Sequence, residues 1–277
     1  LYSSAASDVY KRQFVSRSNL KQPSRKMKFN LKIAALAIAL SGLWGCGKDS
    51  GTTSNPEFGT VKVVINHKVN NQPLVLSTSA IPDSLGNSVV PNAMSFYLSN
   101  LTLNGTKPFV ENLSYHLVRV SATTDSSVFL VKNVPTGTYT GLDMSFGVDS
   151  VANGRTDFVG DLDISNHMSW NWDTGYKFLL LEGSYVATGQ PNQGVVYHLG
   201  RQEAYGKINW SGFNGAELKV STEKTTTLRL IANYDKLFEG VNVKTNFMVM
   251  GPGVPNKSVA QNFQNKVIGL VGVGSPQ

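Results

Sequence analysis

The chain has 277 residues, a formal net charge of +7 at pH 7 and a single cysteine. The positive excess lies in residues 1–46, which hold eight of the 25 Lys and Arg but one of the 18 Asp and Glu, so the remainder carries 17 charges of each sign. A nearly neutral domain lacks the basic surface that nucleic-acid binding requires, and we expect no nucleic-acid partner.

Residues 1–26 are polar, basic and without periodicity, and they precede the first methionine, Met27. Their first stretch, LYSSAASDVYKRQ, resembles translated sequencing-adapter sequence. We therefore interpret residues 1–26 as an upstream translation artefact and expect the native protein to start at Met27.

Residues 27–46 have the pattern of a bacterial lipoprotein signal peptide. Lys28 and Lys32 precede the apolar run IAALAIALSGLW, which is too short for a permanent membrane span. The run ends in LWGC, which resembles a lipobox whose cysteine becomes acylated, so we predict lipidation at Cys46. The alternative is an ordinary signal peptide with a coincidental cysteine.

Acylation of Cys46 has two consequences. The protein would be lipid-anchored to a membrane of the bacterial cell envelope, in the periplasm or at the outer-membrane surface. It would also have no thiol left, which excludes disulfides and the zinc-finger, iron–sulfur and blue-copper ligand sets.

Residues 47–58, GKDSGTTSNPEF, form a polar tether, and residues 59–277 are the size of one domain. Turn signals such as Asn104-Gly105 separate short apolar runs that predict strands. The predicted strands are 60–67, 93–103, 115–120, 128–131, 138–146, 176–185, 195–199, 217–220 and 225–232. Only 233–238 suggests a helical turn. This pattern predicts an all-β domain, an antiparallel β-sandwich of the Ig-like or jelly-roll-like kind.

Three histidines, His67, His116 and His198, lie on or beside predicted strands. Each taken alone is typical of a structural histidine. Together they could converge at one end of a sandwich as an imidazole site, which would suit copper or zinc.

Four aspartates, Asp149, Asp157, Asp161 and Asp163, cluster in VDSVANGRTDFVGDLDIS. They offer enough oxygen ligands for calcium but lack the EF-hand spacing, which favours a solvated loop over a calcium site.

Met248 and Met250 share one face of a predicted extended segment, NFMVM. They could offer thioether ligands to Cu(I), but the pattern favours core packing.

Trp170 and Trp172 stand two residues apart in SWNWDTGY, which predicts a hairpin with both indoles on one face. One reading is a pair of core tryptophans. Another is a surface on which Trp170, Trp172 and Tyr176 stack against a glycan.

No hydrolase motif is evident. The triplet Asp173-Thr174-Gly175 occurs once, whereas an aspartic protease requires a carboxylate pair, and no Gly-x-Ser-x-Gly or His-Glu-x-x-His is present. We therefore expect a binding protein and not an enzyme.

Five phrases in order resemble the MbnP-like copper-binding domains, a family related to the MopE protein of methanotrophs. They are SFYLSNLTL, NVPTGTY, FGVDS, MSWNWDTGYKFLLLEG and VVYHLG. The resemblance implies an extracytoplasmic β-sandwich that holds one copper through histidines, next to a tryptophan that is oxidised to kynurenine. It implies a di-haem cytochrome c peroxidase of the MauG-like type as the modifying partner, and a role in copper acquisition or homeostasis.

The resemblance also assigns roles to residues. His198 matches a family histidine in Tyr-His-Leu-Gly, and Trp170 and Trp172 match the tryptophan block. MopE has a histidine two residues after its modified tryptophan, where this chain has Trp172, so His116 or His67 would have to replace that ligand. The alternatives are a glycan-binding or a structural envelope lipoprotein.

Overall fold

The computed structural model describes residues 57–170, 173–186 and 193–277, which belong to one compact unit. The predictions for residues 1–26, for the signal peptide with Cys46 and for nearly all of the tether lie outside the described residues. Trp172 lies outside them as well. Among the described residues, no helix combines the length and the apolar character needed to cross a membrane.

The described residues are mostly β-strand. The strands are β1 (Phe58–Val69), β2 (Gln72–Pro73), β3 (Ile81–Pro82), β4 (Ser88–Gly105), β5 (Phe109–Val110), β6 (Tyr115–Arg119), β7 (Ser126–Pro135), β8 (Gly137–Phe146), β9 (Lys177–Val186), β10 (Gln193–Gly200), β11 (Gly206–Trp210), β12 (Leu218–Val220), β13 (Thr225–Asn233), β14 (Met248–Met250) and β15 (Ile268–Val273). The helices are α1 (Ser150–Asn153) and α2 (Val254–Asn262), with 3-10 turns at Gly160–Leu162, Ile164–Asn166 and Tyr234–Lys236 and a π turn at Phe263–Val267. Every predicted strand overlaps an observed one.

Two sheets share one hydrophobic core. The smaller sheet has the order β15-β13-β1-β2, with β7 also paired to β1. The larger has the order β11-β8-β4-β9-β10-β14, with β3, β5 and β6 paired to β4 and β12 paired to β8. The prediction of a single all-β sandwich is confirmed, although the sheets curl into a half-barrel. Two pairs, β1–β13 and β10–β14, are parallel, so the sheets are mixed and not wholly antiparallel.

Alternation along β10 sets the two faces of the larger sheet. Val195, Tyr197 and Leu199 are buried in the core, and side chains that alternate with them point to the opposite, outer face. His198 is one of these outer residues. The end of β10 is fixed by α2, because Asn256 accepts a hydrogen bond from Gly200 N (3.2 Å) and donates one to Gly200 O (3.0 Å).

His67 lies in the core between the sheets, on β1. Its side chain is fully buried, stacks on Tyr234 and meets Phe96 edge-on with ring centroids 6.3 Å apart. Ser127 Oγ donates to Arg119 O (2.6 Å), so it accepts from His67 Nε2 (2.8 Å), and His67 Nδ1 accepts from the Tyr234 hydroxyl (2.9 Å). Both ring nitrogens are therefore used by the neutral imidazole.

Burial lowers the pKa of His67 from its ordinary 6.5 to about 4, against a weaker opposing effect of Asp125. The unfolded chain therefore binds more protons than the fold between these values, and stability should rise with pH across that window. We expect about 3 kcal/mol of folding free energy to be lost as the pH falls from 6.5 towards 4.

Urea denaturation of the wild type and of His67→Gln between pH 4.5 and 7.5 measures this contribution. The variant should show a shallower loss of unfolding free energy on acidification, since the remaining titratable groups are common to both proteins. Identical pH slopes in the two proteins would contradict this role of His67.

Candidate metal centre

His198 projects from the outer face of the larger sheet, yet it is only 7% exposed. Its strand β10 runs between β9 on one side and β14 on the other. In the register of these pairs, Leu180 of β9 and Met250 of β14 lie opposite His198. The imidazole is thus buried, although Met248 and Met250 of the neighbouring strand β14 are exposed on the same outer face.

The hydrogen bonding of His198 is one-sided. Nε2 lies 2.8 Å from Oε1 of Glu182, a residue of β9 on the same face. A carboxylate only accepts, so Nε2 carries the proton and Nδ1 carries the lone pair in the neutral ring. Nδ1 is buried and has no hydrogen-bond partner among the described residues.

The electrostatic surroundings keep this ring neutral. Burial lowers the pKa of His198 below its ordinary value, although the hydrogen bond to Glu182 works in the opposite direction. A neutral imidazole, oriented by a carboxylate at one nitrogen and with a bare lone pair at the other, has the form of a metal-binding histidine. The residue types present therefore fit a metal that accepts imidazole nitrogen.

Trp170 lies beside this imidazole. Its indole is 6% exposed and meets the His198 ring edge-on, with ring centroids 6.2 Å apart. The indole also lies against the backbone of Gly200, where a Cβ atom would come within 3.0 Å of Trp170 Cζ2 and 2.7 Å of Tyr176 O. Glycine at position 200 therefore allows the indole to pack next to His198.

A hairpin positions Trp170. Trp170 N donates to Gly175 O (3.0 Å), Lys177 N donates to Met168 O (2.6 Å), and Ser169 and Tyr176 form an antiparallel bridge. These bonds agree with the predicted hairpin around the turn.

The turn of the hairpin is tied to the end of β10. Asp173 accepts hydrogen bonds from Arg201 Nη2 and from Thr174 N, and the bond from Arg201 holds the pKa of Asp173 below its usual range. Asp173 is thus engaged in an ion pair that fixes the turn.

The glycan-stacking reading does not fit the two aromatic residues that the structure describes. Tyr176 is 1% exposed and its hydroxyl donates to Leu162 O (2.7 Å). The Trp170 side chain is also buried, with 6% of its surface exposed. A sugar can stack only on an accessible ring face, so neither residue forms a carbohydrate platform.

The other two predicted ligands do not reach His198. His67 lies in the core with both nitrogens bonded. His116 of β6 lies opposite Leu98 of β4, stacks on Phe129 with ring centroids 3.9 Å apart, and has Nε2 2.7 Å from Glu111. No group of three or more His, Cys, Asp or Glu residues that could hold a metal occurs within the described ranges. The structure does not bring the three predicted ligands together, because His67 and His116 lie on inward-facing positions of β1 and β6, whereas His198 lies on the outer face of the larger sheet.

Met248 and Met250 are not core residues, so the prediction of core packing is wrong. They are 63% and 44% exposed, whereas Val249 between them is 8% exposed. The alternation is visible in the sequence, but which face is exposed is not, since apolar methionines predict a buried face.

The aspartate loop does not gather its carboxylates for calcium. Each carboxylate is engaged separately by neighbouring backbone or side-chain groups.

Asp149 accepts from Val151 N, Ala152 N and the Tyr115 hydroxyl, and Asp161 accepts from Leu117 N. Asp157 pairs with Arg155, and Asp163 accepts from Ser165 N. The absence of a three-residue acidic or imidazole cluster in the described part of the chain removes the support for the calcium reading.

Comparison with known proteins places the chain in a family. The model of the MbnP family matches residues 58–258. Among solved structures, MbnP from Methylosinus trichosporium is 13% identical over 70% of this chain and 82% of that chain, with a TM-score of 0.42. A cell-adhesion candidate from Bacteroides eggerthii is 10% identical over 79% of this chain and 55% of that chain, with a TM-score of 0.21. No curated protein matches. Both structural likenesses are weak, but the family model spans well over half of the chain, and on that ground the chain belongs to the MbnP family.

Proposed function

We propose that this protein is an extracytoplasmic copper-binding lipoprotein whose mononuclear site is built on His198 beside Trp170. Membership of the MbnP family indicates a copper-related extracytoplasmic protein. The observation that carries the specific site is the buried Nδ1 lone pair of His198, which has no hydrogen-bond partner among the described residues.

The chemistry of this nitrogen favours copper. A buried acceptor without a partner costs about 1–3 kcal/mol, and a bound cation would supply the missing interaction. Copper has a high affinity for neutral imidazole. A closed zinc site with four protein ligands has less support, because the described residues gather no cluster of imidazoles, thiolates and carboxylates.

Three neighbours would prepare His198 for the metal. Glu182 fixes the tautomer and the ring orientation through Nε2. Trp170 excludes water from one side of the ring, and Gly200 makes room for its indole. Glu182 lies on a strand, Trp170 on a hairpin and Gly200 at the end of a strand. Because these elements are fixed by the fold, Nδ1 of His198 would be held in place before a metal binds.

Trp170 is the described candidate for oxidation to kynurenine. Two molecules of hydrogen peroxide convert a tryptophan into N-formylkynurenine and two molecules of water, by cleaving the C2–C3 bond of the indole. Hydrolysis of the formyl group then gives kynurenine and formate, and frees an aromatic amine that could ligate copper next to His198. A di-haem cytochrome c peroxidase of the MauG-like type would activate the peroxide.

The site would lie in the bacterial cell envelope, because lipidation at Cys46 would anchor the domain to one of its membranes. The protein would bind copper for acquisition or homeostasis and would not act as an enzyme.

Anaerobic competition titration with a chromogenic Cu(I) chelator tests the site. The wild type should bind one equivalent, and His198→Ala should lower the affinity by at least about 100-fold, because it removes a direct ligand. His116→Ala is the matched control, since it removes an equally buried imidazole that also pairs with a glutamate, and should retain the affinity. Undiminished binding by a folded His198→Ala protein would sink the proposed site.

Mass spectrometry of protein isolated from native membranes tests the modification. We expect the tryptic peptide that ends at Lys177 to carry the mass of a ring-opened indole, with fragment ions that assign it to Trp170 or Trp172. Protein produced without the peroxidase should carry two unmodified indoles and serves as the control. Unmodified indoles in the native protein would refute the kynurenine assignment.

A further inference from the structure

The short strand β14 lies directly beside His198. It pairs in parallel with β10, with Val196 opposite Met248, Tyr197 opposite Val249, and His198 opposite Met250. Partnered residues of neighbouring strands point to the same face, about 5 Å apart. The burial pattern agrees, because Tyr197 and Val249 are both buried while Met248 and Met250 are both exposed. Met250 is therefore the outer-face neighbour of His198 across the strand pair.

Glu182 and Met250 approach the His198 ring from different strands. Nε2 is held at Glu182 on β9, and β9 and β14 flank β10 on opposite sides. Nδ1 has no hydrogen-bond partner among the described residues, and Met250 lies opposite His198 on the strand that does not carry Glu182.

We infer that Met250 supplies a thioether ligand to the metal held by His198 Nδ1 and thereby makes the site selective for Cu(I). This inference rests on the proposed copper-binding function and specifies the ligand set and oxidation state of the same site. Methionine has three flexible torsions, so a sulfur that starts about 5 Å away can reach a metal bound at the neighbouring imidazole.

The charge and softness of the groups favour the monovalent ion. Thioether sulfur is a soft, uncharged ligand that prefers Cu(I) to Cu(II) or zinc. The imidazole is also uncharged, and the carboxylate of Glu182 is engaged at Nε2. A divalent ion would therefore be less well compensated here than Cu(I).

Met248 provides a matched control on the same strand. It lies opposite Val196, one pleat away from His198, at a displacement of roughly 7 Å along the strand. Leucine is close in volume to methionine but has no sulfur, so both substitutions preserve apolar contact and remove only the sulfur atom. Both side chains lie at the surface, so both variants should fold like the wild type, which thermal unfolding of the metal-free proteins checks.

The experiment compares Met250→Leu, Met248→Leu and His198→Ala in anaerobic Cu(I) competition titrations and in Cu(II) titrations. Met250→Leu should lose roughly 10-fold or more in Cu(I) affinity while its Cu(II) affinity changes by less than about 3-fold. Met248→Leu should bind both ions like the wild type. X-ray absorption spectra of the Cu(I) proteins should show a sulfur neighbour in the wild type and in Met248→Leu, and none in Met250→Leu.

The outcomes separate this inference from the proposed function. If the wild type binds Cu(I) through His198 but Met250→Leu binds it equally well and the spectra show no sulfur, the thioether ligand is refuted and the copper site stands. Equal losses in the two methionine variants would refute the assignment to Met250. If His198→Ala binds like the wild type, the proposed function fails first and this inference fails with it.

Discussion

The proposed site depends on one hydrogen bond, from His198 Nε2 to Glu182, at a buried position on the outer face of the larger sheet. Because the carboxylate fixes the proton on Nε2, the lone pair must be on Nδ1, where the described residues provide no donor. A protein that only needed a packed residue here would avoid that cost, as a valine or leucine would fill the space. This unpartnered nitrogen is the observation on which the proposed binding site rests.

His67 and His198 are both buried histidines, but their ring nitrogens have different neighbours. Both are buried, and burial lowers the pKa of both rings. His67 has a hydroxyl at each nitrogen, so the neutral ring is fully satisfied and stabilises the interior. Within the described part of the chain, His198 has a hydrogen-bond partner at one nitrogen only. The difference lies in the neighbours and not in exposure, which is why burial alone is a poor guide to a metal ligand.

Local pattern was sufficient for the fold class and insufficient for the site. Alternation predicted the strands and the hairpin that carries Trp170, because a strand's period of two is a property of its own residues. Strand order is not, so the sequence could not show that the β14 methionines pair with β10, or that Glu182 faces His198. The same limit explains why His67, His116 and His198 were expected to converge. Helix α2 was also missed, because its residues VPNKSVAQN are mostly polar and its hydrophobic periodicity is weak.

The most direct test of a copper site at His198 is anomalous diffraction from crystals of the Cu(I)-loaded protein, with data collected on both sides of the copper absorption edge. The account predicts a single copper peak within bonding distance of His198 Nδ1, with Nε2 still hydrogen-bonded to Glu182. A copper peak at His67 or His116, with none at His198, would contradict it.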